Sequence, residues 1–423
     1  MGHYRRYRHR KNRAKRYKNI IDNCLVNSNM LDKSSLLKCI YLNIGKGSKF
    51  NLKLPQTWWL SFIDLLTFAD KKSGDIGLYA NTLYKETIKL DLSKKNTFEL
   101  FELYALLIEY GLYRVGLIFR IECCSMLAKC ILNNKKNNLL KTRQLLSASF
   151  EMEDLDMVGK TLNTMGPKFK DKSDLPFLYI FVKKIHPSFK VNNTLYDVGR
   201  ALDSNFYSLI NGKSVAIVGP IENNNFDEIN NFDIIVRFNY KGSEGYLNRT
   251  DISYYNGQNG DYIVDNMGGN IPKDLKAAVF KTPIVNNVNG NLCIRKMHSI
   301  ADYFMLDNSA NMLPNTVADL LPYNPSKIKV FSCNMNISFG HGYNLSYGQI
   351  PVNIREKFYP TIGHDPFSQY KFMEFLYKNS LIYGSEEFAH VMTLGVDQYM
   401  ESLQNQYCSQ LFSIEPSTNK ETC

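Results

Sequence analysis

Arg237 and Asn239 stand where an apolar run ends: Phe232–Val236 leads straight into Arg237-Phe238-Asn239. An arginine ending a hydrophobic strand must find a partner, either a ligand anion or an internal carboxylate, and the amide of Asn239 can bond a ribose or a base edge. A second site of the same kind follows Ser214–Val218, an apolar run bounded by Gly212 and Gly219. Gly219 lets the backbone turn sharply beside a ligand, and the ring of Pro220 restricts the next backbone angle. Asn223-Asn224-Asn225 then supplies amide donors and acceptors suited to a base, ribose or phosphate. In an Asn-rich chain it also reads as an ordinary polar loop.

These groups need strands to carry them. Short, wholly apolar runs suit strands buried on both faces of a parallel sheet. Ser214–Val218, Phe232–Val236 and the weaker Ile252–Tyr255 fit, and Ala277–Phe280, Tyr303–Leu306 and Ile328–Phe331 come after them with helical candidates between some of them. The alternation argues α/β, and in such sheets ligands bind beyond the strands' carboxyl ends. Residues 20–170 read instead as helical, with runs over Phe98–Tyr110, Leu112–Leu132, Leu139–Phe150 and Leu155–Met165. Ile76-Gly77, Val115-Gly116 and Val158-Gly159 recur at spacings of 39 and 43, each in an expected second helix. That suits stacked helical hairpins with small residues at close approaches. Trp58-Trp59 reads as the first hairpin's core. Phe367–Lys378 and Glu386–Tyr407 return to helical periodicity. The expected layout is a basic flexible arm over 1–19, a helical repeat-like domain and linker over 20–195, and a Rossmann-like domain with C-terminal helices over 196–423.

VAIVGP, the spacer and NNFDIIVRFNYKG…YLNRTDISYYN resemble the large sialylmotif of the animal-type sialyltransferases, a family with bacterial relatives. The matching positions are Ile229, Asp233, Val236, Arg237, Asn239, Thr250 and Asp251. The resemblance covers roughly residues 212–369 and implies a Rossmann-like, GT-A-like catalytic domain binding the CMP part of a sugar donor, with Asn239 on the nucleotide. Pro220 stands where the family places Asn, which leaves Asn223 as a substitute contact. Leu313–Leu320 before Lys327–Phe331 is similar to the second motif, with Asn315 for Ser and no glycine. Thr316 there would cap a helix in any protein, or bind phosphate or carboxylate. Gly363-His364-Asp365-Pro366-Phe367-Ser368-Gln369 resembles the third motif, with Gln369 at its glutamate position. The imidazole's pKa near neutrality lets it take a hydroxyl proton, so His364 is the expected general base. Of seven histidines, His3 and His9 lie in the arm, His186 in the linker and His390 in a helical pattern; His298 and His341 stay open as phosphate contacts, His341 especially, in Gly340-His341-Gly342.

The resemblance implies an inverting, metal-independent transfer from CMP-sialic acid or a related keto-sugar acid to a glycan or glycolipid acceptor. CMP leaves with one phosphate, so a CMP-sugar co-substrate is expected and no metal. Asp154-Leu155-Asp156 has the form of a metal-holding DxD, but it falls in a helical pattern and reads as a helix start. Two other classes compete. An NADP-binding oxidoreductase would use Arg237 on the 2′-phosphate, though GxGxxG is missing. A catalytically inactive, partner-recruiting protein would explain Pro220 and Gln369.

At 423 residues two domains are expected. Nine cysteines without a regular framework favour free thiols in a reducing compartment. No run approaches the roughly 18 apolar residues of a membrane span, and a cytoplasmic protein is expected. The net charge of +11 is local: residues 1–18 hold nine Lys or Arg and no acid, leaving about +2 elsewhere. Such an arm suits peripheral contact with anionic lipid at the inner membrane face or a solubilising tail; it could also touch nucleic acid, but no nucleic-acid partner is expected.

Overall fold

A computed structural model describes residues 2–26, 32–45, 54–69, 76–132, 139–165, 174–191, 193–221, 225–242, 249–257, 271–282, 292–306, 310–337 and 364–411. Contacts divide the chain into two units, Met1–Cys130 with Asn353–Gly363 and Val396–Cys423, and Ile131–Val352 with His364–Gly395.

The first unit is built on helices α1 (Gly2–Val26), α2 (Lys33–Gly45), α3 (Gln56–Ala69), α4 (Ile76–Ile88), α5 (Thr97–Glu109) and α6 (Tyr113–Leu132). The basic segment expected as a flexible arm is the start of α1. Ala14, Tyr17, Ile21 and Cys24 are buried, and their spacing of three, four and three residues is one helical stripe hidden among cations. Tyr110 of α5 closes on that stripe, its hydroxyl donating to Asp22 Oδ1 at 2.8 Å. Trp58 and Trp59 meet edge to face at 5.2 Å, Trp58 stacks on Phe62, and its Nε1 donates to Thr87 Oγ1 at 2.8 Å. They are core residues. A Cβ on Gly116 would press on Tyr104 at 3.2 Å, the close helix approach that the repeated glycine suggests.

The second unit begins earlier than residue 196. Helices α7 (Leu139–Glu151), α8 (Leu155–Met165), α9 (Leu175–Ile185), α10 (Asn193–Leu202) and α11 (Ser204–Ile210) belong with the sheet. The reason is aromatic packing. Phe150 of α7 lies 4.9 Å from Phe304 and 5.4 Å from Phe372, and Phe181 of α9 stacks on Phe372 at 5.8 Å. Helical texture in the sequence marks element type, whereas these rings decide membership. Asp154 accepts the Met157 N–H at 3.0 Å and so caps α8, which fits the helix-start reading of its acidic pair.

Seven strands form one wholly parallel sheet in the order β5-β4-β3-β2-β1-β6-β7, consistent with a Rossmann-like domain. They are β1 (Ser214–Val218), β2 (Ile234–Phe238), β3 (Ile252–Tyr255), β4 (Ala277–Phe280), β5 (Cys293–Lys296), β6 (Lys327–Phe331) and β7 (Tyr383–Gly384). The remaining helices are α12 (Phe226–Asn230), α13 (Met312–Leu320), α14 (Pro366–Lys378), α15 (Glu386–Thr393) and α16 (Gly395–Leu411), the last falling mostly in the first unit. Two expectations are corrected. Tyr303–Leu306 is no strand but comes after a 3-10 turn at Ala301–Tyr303, its Phe304 turned into the aromatic cluster. The fifth strand is instead Cys293–Lys296, half-exposed and polar along much of its length, as suits an edge.

Register puts Ala216, Ile235, Ser253 and Ala278 on one face. There Ala216, Val218, Ile235 and Phe331 pack with Ile229 of α12 and Phe232. Tyr254 and Arg295 share the opposite face, and both reach Asp319 of α13. Arg295 donates to its two oxygens at 2.6 and 3.1 Å, Tyr254 to Oδ2 at 2.7 Å, and the His298 N–H to Oδ1 at 2.8 Å. The same guanidinium pairs with Asp203 at 2.5 Å, and Tyr323 donates to Asp203 at 2.7 Å. Burial lowers an arginine's proton affinity, but Asp319 reverses that and holds Arg295 firmly charged. Arg295→Met should cost about 3–5 kcal/mol by stranding Asp319. Urea unfolding followed by circular dichroism checks this, with fluorescence of the two tryptophans reporting the other unit.

Asp251, between β2 and β3, carries a parallel duty. Its side chain accepts the Ile235 N–H at 2.8 Å and pairs with Arg249 and Lys276. Burial would raise its carboxyl, but Arg249, Lys276 and that N–H outweigh it and hold the group below the usual carboxylate range. A carboxyl depressed in the folded state stabilises above its unfolded pKa of about 3.9, and the gain is lost as pH falls through the folded value. Asp251→Asn should therefore cost roughly 2 kcal/mol at pH 7, with the deficit shrinking below about pH 4 in urea titrations.

Candidate functional site

From β1 the chain steps outward through β2, β3, β4 and β5, then returns to β6 on the other side of β1. The reversal lies between β1 and β6, and beyond the carboxyl ends of two such strands an α/β sheet opens its ligand crevice. Gly219 stands there. Its N–H donates to Phe331 at 2.9 Å and the Ile221 N–H donates to Ser332 at 3.2 Å. A Cβ at Gly219 would collide with Cys333 Sγ and the Ser332 carbonyl, so only glycine lets the two strand ends approach this closely.

The turn after β6 is strained. Ser332, Met335 and Asn336 all have left-handed backbones, at φ 56°, 51° and 68°. Each costs a non-glycine residue on the order of 1–2 kcal/mol. Asn334 offsets part of that cost, its Oδ1 accepting the Asn336 N–H at 3.1 Å and its carbonyl accepting the Ile337 N–H at 3.1 Å. The Asn334 side chain also hydrogen-bonds Glu387 at the start of α15, whose carboxyl burial pushes above its ordinary range. Burial, with Glu387 nearby, pushes the Cys333 thiol up to about 12, so at neutral pH it is protonated and no nucleophile. Sequence reading overlooked this turn and Glu387; the Asn-Met-Asn run after an apolar strand was the available signal.

Asn239 ends β2 with φ 53°. Its N–H donates to the Tyr254 carbonyl at 2.9 Å and its Oδ1 accepts the Asn256 N–H at 3.1 Å. Among the described residues Nδ2 has no partner, which leaves one donor for a ligand. Arg237 is buried, its guanidinium 5.2 Å from the centroid of the Tyr240 ring. Asp251 is structural here, through Ile235 and Lys276.

Thr316 does not sit at the helix start. Helix α13 begins at Met312 after the N-cap Asn311, so Thr316 falls in the second turn, wholly buried, with Oγ1 unpartnered. The helix start itself is at the sheet's carboxyl end, because Lys281, just past β4, donates from Nζ to the Ala310 carbonyl at 3.2 Å. Gln369 of α14 accepts the Asn311 N–H at 2.9 Å, bringing the first turns of α13 and α14 together. That bond needs an amide or carboxylate oxygen but no charge, which accounts for Gln at that position. His364 immediately precedes the Asp365 cap of α14, where Asp365 accepts the Phe367 N–H at 3.1 Å, and is half-buried. Asn223 and His341 lie outside the described residues.

One histidine is held as a dyad. His298, two residues past β5, meets Asp174 through Nδ1 at 2.7 Å, its ring stacked on Phe177 at 3.7 Å. A carboxylate on one imidazole nitrogen fixes the tautomer presented by the other, but β5 is the far edge of the sheet from β1. Among the described residues no group of three or more His, Cys, Asp or Glu is arranged to hold a metal ion, and no helix is long and apolar enough to cross a membrane.

No protein-family model, curated protein or solved structure matches this chain. Gly219→Ala should cost about 2 kcal/mol by forcing β1 and β6 apart, measured as a fall in the urea midpoint of the sheet unit.

Proposed function

We propose that the sheet unit is a GT-A-like glycosyltransferase domain, moving a sialic acid or related keto-sugar acid from a CMP-activated donor to a glycan hydroxyl. The observation that carries the reading is the reversal of strand order between β1 and β6, where Gly219 draws the two strand ends together and Asn239 ends the neighbouring strand with a free amide donor. The CMP assignment rests on the resemblance of the Val215–Asn256 stretch to the large sialylmotif.

In this reading Asn239 Nδ2 binds the nucleotide. The amide end of α13 and Lys281 supply positive potential to the departing phosphate. The acceptor oxygen attacks the anomeric carbon as the bond to the CMP phosphate breaks, CMP leaves with that electron pair, and the acceptor proton passes to His364. Inversion results from a single displacement. The acceptor is membrane-held, and the basic N-terminal segment provides a cytoplasmic, peripheral contact with anionic headgroups.

Calorimetric titration of the whole protein with CMP, UMP and NADP, with and without EDTA, tests the nucleotide. CMP should bind best and be indifferent to EDTA, and Asn239→Ala should weaken it about tenfold. His364→Ala should keep CMP affinity but lower CMP release from CMP-sialic acid, with a panel of glycan acceptors, by about 10²–10⁴. A preference for NADP or UMP, or no binding of CMP, would sink the reading; unchanged turnover would move the base elsewhere.

A further inference from the structure

A second concavity opens in the sheet unit, away from the crevice. It has a volume of about 190 Å³ and is walled by Phe177, Ile180, Tyr207, Pro322 and Tyr323, with Gly199 contributing no side chain. Two polar groups enter it, Lys184 near the end of α9 and Asn324. The Asn324 carbonyl accepts the Gly212 N–H, just before β1, so the cavity lies toward the amino ends of the strands, opposite the nucleotide crevice.

Lys184 is the informative residue. Its Nζ donates to Asn324 Oδ1 at 2.6 Å, and among the described residues no carboxylate pairs with it. Asp203, behind the wall residue Tyr323, is already taken by the tyrosine hydroxyl and by Arg295. A half-buried ammonium facing aromatic rings and one neutral amide lacks a counter-charge, and its burial favours the uncharged amine. An anion would supply what is missing. Size narrows the choice: cavities of roughly 150 Å³ hold a benzene ring, whereas sites for drug-sized ligands run from about 300 Å³. A nucleotide sugar is excluded, and a single ring with one small acidic group fits.

We propose that this cavity is a binding site for a small aromatic carboxylate, its ring against the apolar wall and its carboxylate on Lys184. Asn324, with a left-handed backbone at φ 57° and its Nδ2 donating to Asn211 Oδ1 at 3.3 Å, is held with its carbonyl oxygen toward the ammonium. It orients Lys184 without neutralising it.

The test uses the full-length protein and benzoate, with benzamide as a neutral isostere and acetate as a ringless acid. Thermal shift and saturation-transfer NMR should show saturable benzoate binding, at least tenfold tighter than either control. Lys184→Met keeps most of the stem and removes the charge, and should weaken benzoate tenfold or more while leaving CMP affinity unchanged. The proposal fails if benzoate does not saturate by about 10 mM, if benzamide binds equally well, or if Lys184→Met binds benzoate as the parent does. Displacement of benzoate by CMP would also overturn it, by placing the acid in the crevice. Should the variant not fold, the comparison of benzoate with benzamide on the unaltered protein decides alone. None of these outcomes depends on whether the protein transfers a sugar.

Discussion

Asp319 has no solvent exposure, and α13 is pinned to one face of the sheet through it. A carboxylate in that position is tolerable only if every lone pair it presents is met. Arg295 from β5, Tyr254 from β3 and the backbone of His298 meet it, and Asp203 before α11 shares the same arginine. One carboxylate therefore fixes where α13 crosses two strands and how the chain leaves the sheet's edge. Because the start of α13 faces the carboxyl ends of the strands through Ala310 and Lys281, this ion network at one end of the helix sets the geometry at its other end.

The crevice itself is built by a different device. No large side chain defines it; a glycine and a run of left-handed residues do. Gly219 brings β1 against β6, and Ser332, Met335 and Asn336 bend the chain away immediately afterwards. Backbone forced into such conformations is held by its surroundings, here by Asn334 and its link to Glu387.

The parts of this arrangement that depend on local pattern were legible. Apolar runs gave β1, β2, β3, β4 and β6, and helical periodicity gave α5 to α8 closely, because strand burial and helix amphipathicity leave their mark within a few residues. What depends on distant partners was not. Asp203, Arg295 and Asp319 lie far apart in the chain, and nothing near any of them reveals the other two. The stripe Ala14, Tyr17, Ile21 and Cys24 was masked by the cations around it, and β5 by its edge polarity. Thr316 was displaced because Asn311, three residues before Pro314, took the cap. Gly219 and Asn239 were legible as strand ends; their partners Cys333 and Asn256 were not.

The strand order also governs how the molecule comes into being. Val215 is paired with Ile234 on one side but with Ile328 on the other. During synthesis, β1 to β5 are complete well before β6 emerges, so β1, an interior strand of the finished sheet, spends that interval as an apolar, unprotected edge. Such edges recruit other strands, and pairings this distant in sequence are slow to form. The β1–β6 junction thus forms late, and yield of folded protein should depend on how well nascent β1 is kept from foreign partners until its own arrives.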